Sequence, residues 1–526
     1  MQRGIGQQLV GNVLITAALR FGDRPAFFCS ATERRFGFRQ VNRRCNQLAH
    51  ALHGLGLAKG DTVALLCTNR VEVVETLFAL AKTGIVGLPL NYRLAPGEIV
   101  DLMRTLGARA LISEADFDTV AERAAQELPT LQHRIRISSG GSSPANGPVW
   151  DYEGLLAAAP ETEPEVALDE SDVFYFNLTS GTSGLPKCYA LTQYNNATVM
   201  PMFTAMEVSS HDVVMTVFPM FGRVGYCWAL CGLVHGIPNV LANFDPGRVL
   251  GLIESERVTI TNLVPTMGAM LLDHGALGAH DLSSLRATVF AGASLPEPIR
   301  QGMVERICPQ LYEYYGMQET GTLVVSTPED RQCRPDAVGR AILHAEVRVV
   351  DDEGRVLPPG QVGEIIGRAP TGVTAYHDNP AKTAETFRSG WIHTGDLGTL
   401  DEEGHLFIRG RKKDMIVTGG QNVFAAEVEQ AILALEDVRD CAVIGLPDPL
   451  WGERVSAVVV VNAGSTLGAE AVVRHCRLNL AAFKTPKQVI LQQEPLPRTP
   501  TGKVQKFLLV ARHGTGTLDD GAPAID

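Results

Sequence analysis

The chain has 526 residues, of which 45% are hydrophobic, 20% charged and 6% aromatic, with 52 Gly and 30 Pro. This is ordinary globular usage, long enough for three or four units at the usual ~150 residues each, and it excludes collagen-like, coiled-coil and disordered classes. A net charge of −12, with no long Lys/Arg run, argues against nucleic acid as a partner, whereas a small anionic ligand needs only a local site.

The ten cysteines are scattered without a Cys-x-x-Cys pair, which points away from zinc-ribbon and thioredoxin-like chemistry and toward a reduced, cytoplasmic setting. In chain order, the stretch from Val10 to Leu19 reads as an amphipathic helix. It is interrupted by Thr16 and followed at once by Arg20 and Asp23, so it lacks the layout of a signal peptide. No run reaches the ~18 uninterrupted apolar residues of a membrane span. Next, "DTVALLC" from Asp61, a helix over about Val71 to Lys82, "GIVGLPL", a helix ending near Leu106 and "ARALIS" alternate strand with helix. That order predicts a parallel sheet with crossover helices. The Gly/Ser/Pro stretch Ser138 to Pro148 and the acidic stretch Pro160 to Asp172 read as surface connections.

From Gly339 to Arg368 the pattern shortens to alternating strands around an Asp352-Glu353-Gly354 turn, predicting a small antiparallel barrel or meander. Beyond residue 410, "AAEVEQAILAL", "VRDCAVIGLP", "RVSAVVVV" and "AEAVVRHCRLNL" read as helix, strand, strand and helix. They predict a compact α+β unit, ending in a tail from Gly514 without apolar periodicity. The expected class is therefore α/β, with parallel sheets, a small β-barrel and an α+β C-terminal unit, and there is no internal repeat.

"VFYFNLTSGTSGLPKCYALT", residues 173–192, places an apolar strand, then Thr179, Ser180, Gly181, Thr182, Ser183, Gly184, Leu185, Pro186 and Lys187, then a second apolar strand. Hydroxyls, glycine N–H groups and a lysine supply what a polyphosphate needs: short donors, close backbone approach and a cation. A Walker A loop has Gly before its Lys, Ser or Thr after it, and a helix beyond. Here Pro186 and Cys188 occupy those places. A Ser/Gly surface linker is the alternative on composition.

Further along stand "YYGMQETG" from Tyr314, "GWIHTGDLG" from Gly390, "GRKKDMIVTGGQNVFAAEVE" from Gly410 and "PRTPTGKVQK" from Pro497. Together with the Ser/Thr/Gly loop, and in this order, they resemble the adenylate-forming superfamily of acyl-CoA synthetases, carrier-loading adenylation domains and luciferases. The resemblance covers nearly the whole chain. It implies a large N-terminal domain, 1–410, a smaller mobile C-terminal domain, 411–526, and a ligase using ATP, Mg2+ and coenzyme A on a small carboxylate. Acyl-adenylate and pyrophosphate would form first, then acyl-CoA and AMP. Loading of a carrier protein and an inactive adenylate binder are the alternatives, and the oligomeric state, a homodimer included, stays open.

The resemblance also implies roles. Lys503 would contact both the carboxylate and the α-phosphate, where negative charge accumulates. Thr179 and Lys187 would act beside it, and Glu319 would ligate the magnesium that bridges the phosphates. Asp396 and Arg411 would hold the ribose, the carboxylate as a paired acceptor. Tyr315 and Gly316 would lie against one adenine face, with Gly292, Ala293 and Ser294 on the other, and Gln318 would donate to a phosphate oxygen. Lys413 matches the hinge, Gly419 and Gly420 a pantetheine tunnel, and Trp451, Phe483 and Arg93 contacts to CoA, with local packing as the alternative for Trp451.

The acyl pocket would comprise Phe218, Phe221, Gly222, Arg223, Val264, Pro265, Ala291, Tyr314, Gly316 and Met317. It is mostly apolar and suits a fatty, branched or ring-bearing acid. Three departures from the family pattern stand out. Cys188 replaces a usual Gly and reads as a small strand side chain, Gln318 replaces Thr, and Gly222 replaces a His and so widens the pocket. Arg223 either faces the acyl tail, where a second carboxylate would pair with it, or lies in solvent, the placement that the rarity of buried arginine favours.

Overall fold

The computed structural model describes residues 7–138, 149–179, 187–498 and 504–514, with the backbone alone at Thr179. The expected loop at 139–148, the predicted phosphate-loop residues Ser180, Gly181, Thr182, Ser183 and Gly184, the predicted catalytic Lys503 and the tail from 515 lie outside the described residues.

The alternating pattern of the first third forms the elements it predicts. Thr62–Leu66, buried at every position, pairs in parallel with Val86–Pro89 and Ala108–Glu114. Such continuous apolar strands belong in a parallel sheet covered on both faces. The helix Val71–Thr83 between them ends at Gly84, whose φ of 70° is a left-handed cap. All of this helix is buried, including Glu72, Glu75 and Lys82. Burial at those positions is compensated: Glu75 accepts from Arg44 and from the Tyr152 hydroxyl, and Lys82 donates to Asn42, Asn46 and Glu163. Glu163 thus anchors the connection 160–172 against the core rather than leaving it wholly at the surface.

Seven strands make this sheet, in the order Val149–Asp151, His133–Ile137, Ala108–Glu114, Thr62–Leu66, Val86–Pro89, Val173–Thr179, Lys187–Thr192. A second sheet of nine strands has at its centre Ala287–Phe290, Ile260–Leu263, Val214–Thr216 and Asn239–Leu241, all parallel. Its one end carries the antiparallel hairpin Leu311–Met317 and Gly321–Ser326, and its other end the two first strands of the chain, Pro25–Cys29 and Arg34–Gly37. A single apolar core fills the space between the sheets, where Val63, Tyr175 and Ile260 share one cluster with Phe78 and Trp228.

The antiparallel unit expected after Gly339 has five strands: Glu346–Val350, Gly363–Arg368, Trp391–Leu400, Phe387–Arg388 and Leu406–Arg411. The C-terminal unit carries the predicted helix Ala425–Leu433, strands Val438–Asp448 and Gly452–Val461, and helix Ala469–Asn479. A further strand, Gln488–Gln492, adds in parallel to Gly452–Val461. No helix among the described residues is long and apolar enough to cross a membrane.

Candidate active site

Two hairpins meet at the site. In the first, Val173–Thr179 and Lys187–Thr192 pair antiparallel with Thr179 opposite Lys187. A strand therefore follows Lys187, as the residues predict and unlike the helix of a Walker A loop. In the second, Met317 pairs with Gly321, leaving Gln318, Glu319 and Thr320 as the tip. The strand is bulged between Tyr315 and Gly316, and only glycine fits there, since a Cβ on Gly316 would stand 2.0 Å from the Gly321 carbonyl oxygen. The Gln318 side chain ties the hairpins together: its Oε1 accepts from Asn177 Nδ2 at 2.9 Å and from the Tyr189 hydroxyl at 3.3 Å.

A non-regular strap from Pro370 to His377 fastens both hairpins from the other side. Thr371 Oγ1 donates to the Thr320 carbonyl at 2.8 Å, Val373 N–H to the Glu319 carbonyl at 2.9 Å, and His377 N–H to the Cys188 carbonyl at 2.8 Å. The Tyr376 hydroxyl donates to Glu319 Oε1 at 2.6 Å, and the Lys187 ammonium lies 5.4 Å from the centre of the Tyr376 ring. Burial, reinforced by the nearby Lys382, lowers the Lys187 pKa. Glu319 itself is buried.

Arg223 does not lie in solvent, the placement that the rarity of buried arginine favours. It is 3% exposed, and its guanidinium donates to the Gln318 carbonyl at 2.6 Å and to the Thr371 carbonyl. The cation is satisfied by the hairpin and the strap, because an arginine at the first turn of the helix Arg223–His235 can reach over both. A buried guanidinium needs acceptors, and these two carbonyls supply them.

Beside this cluster lies a second one. Asp396 and Arg411 sit opposite each other on neighbouring strands, 3.0 Å apart between Oδ1 and Nε, and the Tyr315 hydroxyl donates to Asp396 Oδ2 at 2.8 Å. Burial and the Asp396 charge together push the Tyr315 phenol well above its ordinary pKa, so it stays a donor.

Gly292, Ala293 and Ser294 are exposed just past the end of Ala287–Phe290, and Val264 follows the end of the parallel Ile260–Leu263. Ligands in open α/β sheets bind at such carboxyl ends. The buried Ala291 donates its N–H to the Leu263 carbonyl at 3.2 Å, and Met317 N–H donates to Thr320 Oγ1 at 2.8 Å. Phe221 meets Tyr92 edge-on at 5.3 Å, while a Cβ on Gly222 would touch only the Pro219 carbonyl, at 3.6 Å. Phe218, partly buried, accepts from Asn69 at its carbonyl, and Tyr314 turns inward against the main core. Cys188 packs in its strand, and burial pushes its thiol up to about 12, so it carries no thiolate at neutral pH.

In the C-terminal unit, Lys413 is exposed in the short turn Lys412–Asp414. Gly419 and Gly420 both have positive φ, and Gly419 donates its N–H to the Trp451 carbonyl at 2.8 Å. A Cβ on Gly419 would stand 2.6 Å from the Trp451 ring, so Trp451 packs on this glycine while 47% exposed. Phe483 is exposed, and Arg93 lies over the Tyr92 ring. Sequence reasoning missed Tyr376, Thr371, Asn177 and Tyr189. The strap "PTGVTAYH" has no periodicity to mark it, and Asn177 and Tyr189 read only as strand residues.

The chain matches the family model for AMP-binding enzyme over residues 14–377 and that for AMP-binding enzyme C-terminal domain over 427–503. It is 34% identical over 486 residues to a feruloyl-CoA synthase of an Amycolatopsis species, covering 91% of this chain and 94% of the relative. It is 32% identical over 497 residues to the long-chain-fatty-acid–CoA ligase FadD13 of Mycobacterium tuberculosis strain H37Rv, covering 92% and 94%. A crystal structure of the anthranilate CoA ligase AuaEII in complex with anthranoyl-AMP matches with a TM-score of 0.87 at 28% identity, over 96% of this chain and 97% of that one. The chain belongs to the AMP-binding enzyme family. Within it, this is an acid–thiol ligase of the AMP-forming, acyl-CoA synthetase kind.

Proposed function

We propose that the enzyme joins an apolar fatty, branched or ring-bearing acid to coenzyme A through an acyl-adenylate. The convergence of Lys187, Glu319 and Tyr376 at two hairpin tips, next to the Asp396–Arg411–Tyr315 cluster, carries this reading. The first group suits a polyphosphate and the second a ribose with its base. Asp396 would accept from the ribose hydroxyls, Arg411 would orient it, and Tyr315 would meet the adenine between Gly316 and the exposed Gly292–Ser294 turn. Lys187 and Lys503 would supply positive charge where carboxylate and α-phosphate approach, and this lowers the barrier only where charge builds up in the transition state. The Ser/Thr/Gly residues 179–184 would add donors to the phosphates.

Glu319 fits a magnesium ligand on its own surroundings. Its carboxylate is buried, one oxygen takes the Tyr376 hydroxyl, and among the described residues no Lys or Arg forms an ion pair with it. One carboxylate plus phosphate oxygens is the set this ion favours, and the ion would neutralise phosphate charge there. Phe218, Phe221, Val264, Ala291, Tyr314 and Met317 would enclose the acyl group, with Gly222 leaving room for bulk. The domains would divide at 410/411, with rotation about Lys413 bringing Gly419, Gly420 and Trp451 to the CoA arm for the second half-reaction. We place the enzyme in the cytoplasm, with ten free thiols as support.

The test is pyrophosphate release and AMP formation with straight-chain, branched, aromatic and dicarboxylic acids, each with and without CoA. Thioester formation with CoA on an apolar acid is expected. Pyrophosphate release without any CoA-dependent turnover would point to a carrier protein instead, and no release with any acid would overturn the reading.

A further inference from the structure

Tyr376 belongs to none of the motifs by which the sequence is read, yet its side chain touches both charged groups at the hairpin tips. It is 6% exposed, and three contacts fix it besides those two. Its N–H donates to Thr383 Oγ1 at 3.0 Å, its ring meets Phe387 edge-on at 5.4 Å, and the next residue, His377, donates its N–H to the Cys188 carbonyl at 2.8 Å. The ring is thus held by the strap, by the helix Pro380–Thr386 and by the first hairpin.

We propose that Tyr376 is a positioning residue for magnesium–nucleotide binding, acting through Glu319 and Lys187. The proposal rests on the nucleotide-site reading given above. A hydroxyl donating at 2.6 Å to a carboxylate is a charge-assisted bond. By holding one oxygen it fixes the direction of the other, and magnesium tolerates little departure from octahedral geometry. The same ring presents its face to the Lys187 ammonium, an attraction that strengthens away from water. A carboxylate and an ammonium from two different hairpins therefore take their separation from one phenol.

The experiment is calorimetric titration of AMP, and of ATP with and without magnesium chloride, into the wild-type chain, Tyr376→Phe, Glu319→Gln, the double variant and Tyr376→Leu. Tyr376→Phe should bind AMP as the wild type does, while its magnesium-dependent gain in ATP affinity falls about tenfold, the usual effect of losing one hydrogen bond to a charge. The double variant should be no worse than Glu319→Gln alone. Tyr376→Leu, lacking the ring as well, should also weaken ATP binding without magnesium. The proposal is overturned by a full magnesium gain in Tyr376→Phe, by losses that add in the double variant, or by loss of AMP binding in Tyr376→Phe, which would mark a merely structural role. A wild type that binds neither AMP nor ATP would overturn the nucleotide-site reading and this proposal with it.

Discussion

Replacing Arg223 by Met keeps the length and apolar stem of the side chain and removes the guanidinium. The buried cation sits at the first residue of a helix, where the helix dipole disfavours positive charge. Its place is kept by the bonds to the Gln318 and Thr371 carbonyls. Hydrogen bonds to a charged donor contribute about 1.5–3 kcal/mol each, and relief of a buried charge offsets part of the loss. The net destabilisation should be about 2–4 kcal/mol, concentrated where the strap meets the second hairpin. Urea unfolding followed by two probes, since a chain of several units need not unfold in one step, should show a lower midpoint. ATP affinity should fall in parallel, because Gln318 and Glu319 share that hairpin. Arg223→Lys should recover part of both losses. A variant with unchanged stability that lost only a preference for dicarboxylic acids would refute this reasoning and put the guanidinium in the acyl pocket.

Gly316→Ala should be worse than an ordinary core substitution, because the added methyl meets a backbone oxygen at 2.0 Å rather than a movable side chain. A loss above the ~1–3 kcal/mol typical of overpacking, together with loss of nucleotide binding, is expected, and wild-type unfolding would contradict it. Gly222→His brings its Cβ only an ordinary contact, with the Pro219 carbonyl at 3.6 Å. Stability should stay within about 0.5 kcal/mol while kcat/KM falls more for bulky acids than for short ones, and equal losses across a chain-length series would remove the idea of a widened pocket. Burial lowers the Lys187 pKa, so its charge is present at neutral pH and is lost as pH rises through a value below the usual lysine range. ATP affinity measured against pH should decline there, and Lys187→Arg should abolish that inflection; a decline that persists in Lys187→Arg would assign it to another group.

Much of the architecture was legible because the signals are local and repeated. The strand–helix alternation from Asp61 to Ser113 corresponds element by element to Thr62–Leu66, Val71–Thr83, Val86–Pro89, Pro96–Thr105 and Ala108–Glu114. The apolar runs on either side of the Ser/Thr/Gly residues likewise read as strands, and they form Val173–Thr179 and Lys187–Thr192. What could not be read was anything decided by partners far away in sequence. Glu75 and Lys82 are charged residues on a helix, and Arg44, Tyr152, Asn42, Asn46 and Glu163, brought over by other elements, make their burial tolerable. Arg223 is the same case at the site itself: its acceptors are backbone carbonyls, which no sequence pattern displays. Tyr376 was invisible for a third reason, since a loop held by scattered single bonds leaves no period to detect.

The place of Pro25–Cys29 in the nine-stranded sheet bears on how the chain is made. Phe27 pairs with Asn239, about two hundred residues downstream. At ribosomal rates of roughly 5–20 residues per second, the first strand would wait on the order of ten to forty seconds for its neighbour. During that interval the edge formed with Arg34–Gly37, including Phe27, Phe28 and Phe36, has no sheet to join. Nascent chains halted before Asn239 should therefore be the ones that chaperones hold and proteases cut, and a longer pause there should lower the yield of enzyme without altering a single active-site residue.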